Sequence, residues 1–149
     1  MFTVQDAVAL ARRAHEGQVD KAGMPYIDHP LRVMAGVTGE REQMVAVLHD
    51  TVEDTWVTAE HLAEAGCPPE VIEAVLAISH RPGEPQADYL TRVAANPLAL
   101  VVKHADIADN SSRARIDRLE PKTQERLKLK YANALRILAE LEAGSTEVR

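Results

Sequence analysis

Apolar residues recur at helical spacing along almost the whole chain, and hardly any of them is aromatic. One Phe, one Trp and three Tyr occur among 149 residues, so a core has to be assembled from Leu, Val, Ile and Ala. That alphabet favours helices over sheets. Val4, Ala7, Val8, Ala11 and Ala14 form a stripe of helical period. The stripe predicts a first helix that starts near Thr3, a good capping residue, and ends by Gly17. Asp6 sits in the first turn, where the helix dipole favours negative charge. Residues 18–28 lose the period and include Gly23 and Pro25, so they read as a loop.

A second helix is expected to open at Pro30, with His29 at or beside its cap. A third runs from about Glu40 to near Asp54 and carries Met44, Val45, Val47, Leu48 and Val52. Thr58 caps a short helix that stops at Gly66. Pro68 and Pro69 open the next, with Val71, Ile72, Val75, Leu76 and Ile78 turned inward. Residues 80–86, with Arg81, Pro82, Gly83 and Pro85, form a loop; a short helix with Tyr89, Leu90 and Val93 follows and ends before Asn96. Residues 98–109 suit a buried strand or a buried helix by composition. Helix is preferred, because no other segment offers a strand a partner. Residues 122–143 make a long amphipathic helix whose hydrophobic content comes from Leu127, Leu129, Tyr131, Leu135, Ile137, Leu138 and Leu141. The expectation is an all-α bundle in a single compact domain over 1–149, with a core of about 4–142 and a frayed tail over 143–149.

Charge and cysteine content narrow the function classes. A formal net charge of -6 argues against non-specific nucleic-acid binding, which needs Lys and Arg against phosphates. No apolar run is long enough to span a bilayer, and the N-terminus has neither a basic nor an apolar leader segment. A cytoplasmic protein without membrane or nucleic-acid partners is expected. Cys67 is the single cysteine, which excludes an intramolecular disulfide, and it reads as a small buried hydrophobe.

Three polar clusters interrupt this apolar pattern. In His49-Asp50-Thr51-Val52-Glu53-Asp54, four ionisable groups stand at the end of a helix, where acidic residues oppose the dipole. His49 and Asp50 point about a quarter-turn apart and can chelate one ion. Glu53 lies four residues beyond His49, and Asp54 four beyond Asp50, which puts each pair on one helical face. The second cluster is Tyr26-Ile27-Asp28-His29-Pro30, and the third runs from Lys103 to Asn110. Asp106 follows a strongly apolar run, and burying it demands a partner, either a cation such as Lys103 or a metal. Two His and two Asp form an N/O donor set that suits Mn, Fe, Zn or Mg, with positions open to water and phosphate. The absence of Cys from the set argues against structural zinc.

The order His29, His49-Asp50, Asp106 resembles the H…HD…D pattern of the HD phosphohydrolase superfamily. His15-Glu16-Gly17-Gln18, Tyr26-Ile27-Asp28-His29-Pro30, His49-Asp50-Thr51-Val52-Glu53-Asp54 and Lys103 to Asn110 narrow the likeness. Over about residues 4 to 115 they resemble the hydrolase domain of the Rel/SpoT enzymes and their small stand-alone relatives. The resemblance implies an all-α HD fold and manganese-dependent removal of pyrophosphate from the 3′ position of (p)ppGpp, the nucleotide of the stringent response. It implies that His29, His49, Asp50 and Asp106 bind the metal and that Glu53 and Asp54 position and activate water. Lys21 and Asn110 match substrate contacts, and Lys103, Arg81 and Arg113 are further candidates for phosphate. One position departs from the pattern: Asp20 stands where an Arg usually precedes Lys21. A carboxylate there removes a stacking cation. Another nucleotide or phosphate ester, such as NADPH, or a non-catalytic nucleotide sensor are the alternatives. The oligomeric state stays open, since the long last helix can pack on its own domain or on a second copy in a homo-oligomer.

Overall fold

The computed structural model describes residues 1–147, without the side chains of 113, 114 and 145–147. Among the described residues ten helices follow one another. They are α1 (Val4–Ala14), α2 (Asp28–Ala35), α3 (Glu40–Leu48), α4 (Thr51–Asp54), α5 (Ala59–Glu64), α6 (Pro69–Ile78), α7 (Gln86–Ala94), α8 (Pro97–Asn110), α9 (Arg113–Ile116) and α10 (Pro121–Glu147). Among the described residues the only extended pairing is an isolated antiparallel bridge between Val19 and Pro25. No helix among them is long and apolar enough to cross a membrane.

The helix starts follow the capping chemistry of the sequence. Thr3 closes a capping box with Asp6: each backbone N–H donates to the other's side chain, at 2.8 and 3.1 Å. Thr58 does the same for α5 with His61 as its partner. Asn96 caps α8, accepting from Ala99 N–H at 3.1 Å, and Pro97 occupies the first turn. The chain leaves α1 through Gly17 at φ +82 and α5 through Gly66 at φ +94, conformations that a side chain disfavours.

Helix α3 is the centre of the bundle. Five successive residues, Met44 to Leu48, are buried, so this helix is apolar all round. It packs against α1, α2, α6 and α8, and α8 in turn packs against α2, α6 and α7. Leu10, Val33, Leu48, Leu62, Val71, Leu90, Val102 and Leu138 draw eight helices into one core. Cys67 is buried at its edge, and burial pushes its thiol up to about 11.

The structure revises several expectations. The third helix does not run unbroken to Asp54: it stops at Leu48, and α4 begins at Thr51. The side chains explain the break. The Thr51 hydroxyl donates to Leu48 O at 2.8 Å, and His49 Nδ1 donates to Ala46 O at 2.6 Å, competing with the helical ladder. Helix α2 begins one residue before His29, which therefore sits in the first turn and not at the cap. Leu76 is turned outward, 38% exposed, as are Leu129 and Leu135 on α10. Helix α9 was not expected from the pattern, being only four residues long. Helix α10 runs through Gly144 to Glu147, so the segment expected to fray is helical as far as it is described; a single helical glycine costs only about 1 kcal/mol. Val148 and Arg149 of that expected tail lie outside the described residues.

Three truncations separate core from surface. Leu62→Ala and Leu90→Ala, each at a fully buried position, should lower stability in urea unfolding by about 2–5 kcal/mol. Leu129→Ala, at a position 73% exposed, should stay within about 0.5 kcal/mol of wild type.

Candidate metal centre

Three helices bring the predicted residues to one point. His29 comes from the first turn of α2, His49 and Asp50 from the C-terminal end of α3, and Asp106 from α8. His29 Nε2 lies 2.9 Å from Asp106 Oδ1 and 3.7 Å from Asp50 Oδ2. His49 Nε2 lies 3.2 Å from the same Asp106 oxygen and 3.1 Å from the same Asp50 oxygen. One ligand atom from each of His29, His49 and Asp50 falls within 4.8 Å of the others, as a shared metal requires. Asp106 Oδ1 closes the group against both imidazoles.

The remaining donors and acceptors are arranged so that the Nε2 atoms are the ones left for an ion. His49 Nδ1 is taken by Ala46 O at 2.6 Å, and His29 Nδ1 by Asp109 Oδ2 at 2.6 Å. Neither acceptor carries a proton, so both Nδ1 atoms donate and both Nε2 atoms face the carboxylates. Asp106 divides its oxygens: Oδ1 faces the imidazoles, while Oδ2 accepts from Lys103 at 3.1 Å. Asn110 Nδ2 donates to Asp106 Oδ1 at 3.0 Å, and the Tyr26 hydroxyl donates to Asp50 Oδ2 at 2.6 Å. The donor set and its orientation fit a divalent cation.

The electrostatics follow from burial. His29, His49 and Asp106 are all under a tenth exposed. Burial alone would push His49 down, but Asp50 and Asp106 beside it hold it well above its ordinary value. His29 is likewise raised: burial is outweighed by hydrogen bonds to Asp106 and Asp109. Burial would raise Asp106, yet Lys103 and His49 keep it well below the carboxylate range, and His49 lowers Asp50 against the same cost of burial. Lys103 stands above its ordinary value, since Asp106 outweighs the cost of burial. Two positive charges are therefore favoured where two Nε2 atoms meet two carboxylate oxygens. Protons on both imidazoles supply them, and so does one divalent cation.

A cavity of about 580 Å³ opens beside this cluster. Glu53 and Asp54 line it, and both are exposed. Glu53 Oε1 accepts from the His80 backbone N–H at 2.6 Å. Burial, with Asp50 and Glu53 beside it, raises Asp54 to about 6. Lys21, Lys103 and Asn110 line the cavity too, but they differ in what they already hold. Lys103 and Asn110 are engaged with Asp106. Arg81 is not among the lining residues, and the Arg113 side chain lies outside the described residues.

Sequence reading missed four contributors. Lys130 lines the cavity from α10, and its ammonium is lowered by burial and by the nearby Lys103 and Lys21. Nothing marks it in a helix rich in Lys and Arg. Arg115, from the unforeseen α9, donates to Asn110 Oδ1 at 2.6 Å and reaches Asp20 Oδ2 at 3.6 Å. Asp109 was legible only as a neighbour of Asp106. Tyr26 was visible in the second cluster without a role. Asp20 itself holds the tight turn before α2, its Oδ1 accepting from Ala22 and Met24 N–H at 2.9 Å each.

These shifts fix the sign of a pH dependence. Raised imidazoles contribute stability that is complete below about pH 6.5 and is lost as pH rises through their folded-state values. Asp54, raised to about 6, favours the folded state at the low end of the same range. Protein stripped of divalent metal should therefore unfold at lower urea concentration at pH 8.5 than at pH 5.5. A midpoint that rises between those values would contradict the assignment of charge.

No family model matches the chain. Individual relatives do. A probable GTP pyrophosphokinase of Mycobacterium leprae is 35% identical over 152 residues, covering 93% of this chain and 18% of that protein. The guanosine-3′,5′-bis(diphosphate) 3′-pyrophosphohydrolase of Haemophilus influenzae is 44% identical over 59 residues, 37% of this chain and 9% of its own length. The bifunctional (p)ppGpp synthase/hydrolase SpoT of Escherichia coli K12 is 40% identical over 65 residues, 41% of this chain and 9% of SpoT. The chain thus spans less than a fifth of the length of these curated relatives. A solved structure of a metazoan SpoT ortholog, described as hydrolysing ppGpp, superposes with a TM-score of 0.75 at 22% identity, over 97% of this chain and 92% of that one. The homologues of this chain are Rel/SpoT proteins, and its all-α HD fold is that of the SpoT ortholog.

Proposed function

We propose that the chain is a metal-dependent phosphohydrolase that releases pyrophosphate from the 3′ position of a (p)ppGpp-type nucleotide, with His29, His49, Asp50 and Asp106 as the metal ligands. The observation that carries this reading is the convergence of two Nε2 atoms and two carboxylate oxygens within 2.9–3.7 Å, beside a cavity of nucleotide size. The names of the relatives supply the substrate class. Manganese is the ion we favour, and a cytoplasmic nucleotide pool the setting. We read the described helices as one domain.

A divalent cation held there supplies Lewis acidity to a phosphoryl oxygen and to the attacking water. The protein groups do the rest. Tyr26 and Lys103 keep Asp50 and Asp106 ionised and aimed. Asp54, at about 6, is ionised at neutral pH yet close enough to that value to take the proton of the attacking water. Glu53, anchored on the His80 N–H, orients that water. As the water oxygen bonds to phosphorus, the bond from phosphorus to the 3′ oxygen breaks and that oxygen takes up a proton. Lys21 and Lys130 face the cavity and offset the charge of the phosphates.

A second reading keeps the chemistry and changes the nucleotide. It is favoured by Asp20, which puts a carboxylate where the pattern has a stacking Arg; its oxygens face two backbone N–H groups and Arg115. With Mn²⁺ present, pyrophosphate release from ppGpp against phosphate release from NADPH and nucleoside phosphates separates the two.

The first reading makes two mutational predictions. His49→Ala or Asp50→Ala should abolish both Mn²⁺ binding and pyrophosphate release. The pair Glu53→Gln with Asp54→Asn should keep Mn²⁺ binding while kcat drops about 10²–10⁴-fold. Turnover by a folded variant that binds no metal would overturn the scheme.

A further inference from the structure

Asp109 lies outside the four-residue cluster yet touches one member of it. Its Oδ2 is 2.6 Å from His29 Nδ1, on the side of the ring away from Asp106. One helix, α8, therefore supplies the oxygen facing each nitrogen of the same imidazole, from residues three apart. Asp109 is itself held by two cations. Arg32 Nε donates to Oδ1 at 2.8 Å, and Arg115 Nη1 to Oδ2 at 3.1 Å. Arg115 Nη1 also lies 2.8 Å from His29 Nδ1. Both oxygens of Asp109 already accept from guanidinium N–H groups, so the carboxylate acts as an acceptor and the proton between Asp109 and His29 belongs to Nδ1. The Arg115 N–H then serves Asp109 and Asn110, not the ring.

We propose that Asp109 is a positioning residue for the metal centre: it holds His29 with Nδ1 as the donor and Nε2 turned toward Asp50 and Asp106, while Arg32 and Arg115 lock Asp109 in place. The inference rests on the metal reading given under Proposed function. Without Asp109 the ring has no acceptor on Nδ1, so neither its rotation nor its tautomer is fixed, and its basicity as a ligand falls. The arrangement also explains why α9 is folded against the site. Arg115 ties α9 to Asp109, to Asn110 and to Asp20, three acceptors on two segments.

The test is a titration of the whole chain with Mn²⁺ by calorimetry, in wild type, Asp109→Ala, Asp109→Asn and Arg32→Gln, each checked for fold by circular dichroism. Asp109→Ala should weaken Mn²⁺ about 10–100-fold. Asp109→Asn should lose less, because its amide oxygen can still accept from Nδ1. Arg32→Gln, at a residue 45% exposed, should show a smaller loss in the same direction. With diamagnetic Zn²⁺ bound, ¹H–¹⁵N spectra of wild type should show a solvent-protected proton on His29 Nδ1 that exchanges freely in Asp109→Ala. Wild-type affinity in both Asp109→Ala and Arg32→Gln would overturn the inference, as would an unprotected Nδ1 in wild type. The latter decides the matter even if Asp109→Ala fails to fold. Failure of wild type to bind either ion would instead remove the metal reading, and the role of Asp109 with it.

Discussion

Charge buried at the end of an apolar helix is the constraint on which the rest of the structure depends. Helix α3 is buried on every side from Met44 to Leu48, and the next two residues are an imidazole and a carboxylate. A group such as Asp106, 7% exposed, survives in that setting only if each oxygen is matched. Lys103 and Asn110 match it from its own helix, and His29 and His49 match it from two others. Breaking one partner out of such a set costs about 3–5 kcal/mol, because the charge left behind stays buried. The packing of α2 and α8 on α3 is therefore tied to the chemistry of the cluster: the contacts that build the core also bring the polar groups together.

The break between α3 and α4 gives that constraint its shape. A continuous helix would place Glu53 and Asp54 one turn beyond His49 and Asp50 on the same faces. The break, held by Thr51 and His49 bonding back to the helix carbonyls, turns Asp50 into the first residue of a new turn. Asp54 N–H still donates to Asp50 O at 3.0 Å, so the two acidic pairs stay close. Their mutual repulsion, added to burial, is what lifts Asp54 to about 6. The same cavity is lined by Lys21, Lys103 and Lys130, and the first two are near enough to the third to depress it. A cavity lined by both paired carboxylates and ammonium groups is suited to a phosphorylated substrate whose charge is met by cations while its attacking water is met by a base.

Much of this was legible in the sequence because it is written in local patterns. The alphabet of Leu, Val, Ile and Ala at helical spacing, punctuated by Thr3, Thr58, Asn96 and the prolines, carries the all-α fold and most helix starts. The ambiguous segment after Pro97 resolves as helix, in keeping with the absence of any strand partner among the described residues. His29, His49, Asp50 and Asp106 announced themselves as ionisable groups set into apolar context, and the structure brings all four together. What escaped detection depends on tertiary geometry. Helix α9 is too short to show a period, so Arg115 had no helix to be placed on. Asp109 and Lys130 sit in polar stretches where one charge looks like the next, and only the packing of α2 and α10 against α8 and the cavity distinguishes them. The α3–α4 break was hidden because competition between side chains and backbone leaves no mark on hydrophobic spacing.

The most direct test of the account is a crystal structure of the chain grown with Mn²⁺, with the ion located by its anomalous scattering. The account predicts a single strong peak about 2.0–2.3 Å from Nε2 of His29 and His49 and from one oxygen each of Asp50 and Asp106. A peak ligated elsewhere, or His29 and Asp106 turned away from the His49–Asp50 pair in the metal-soaked protein, would contradict it.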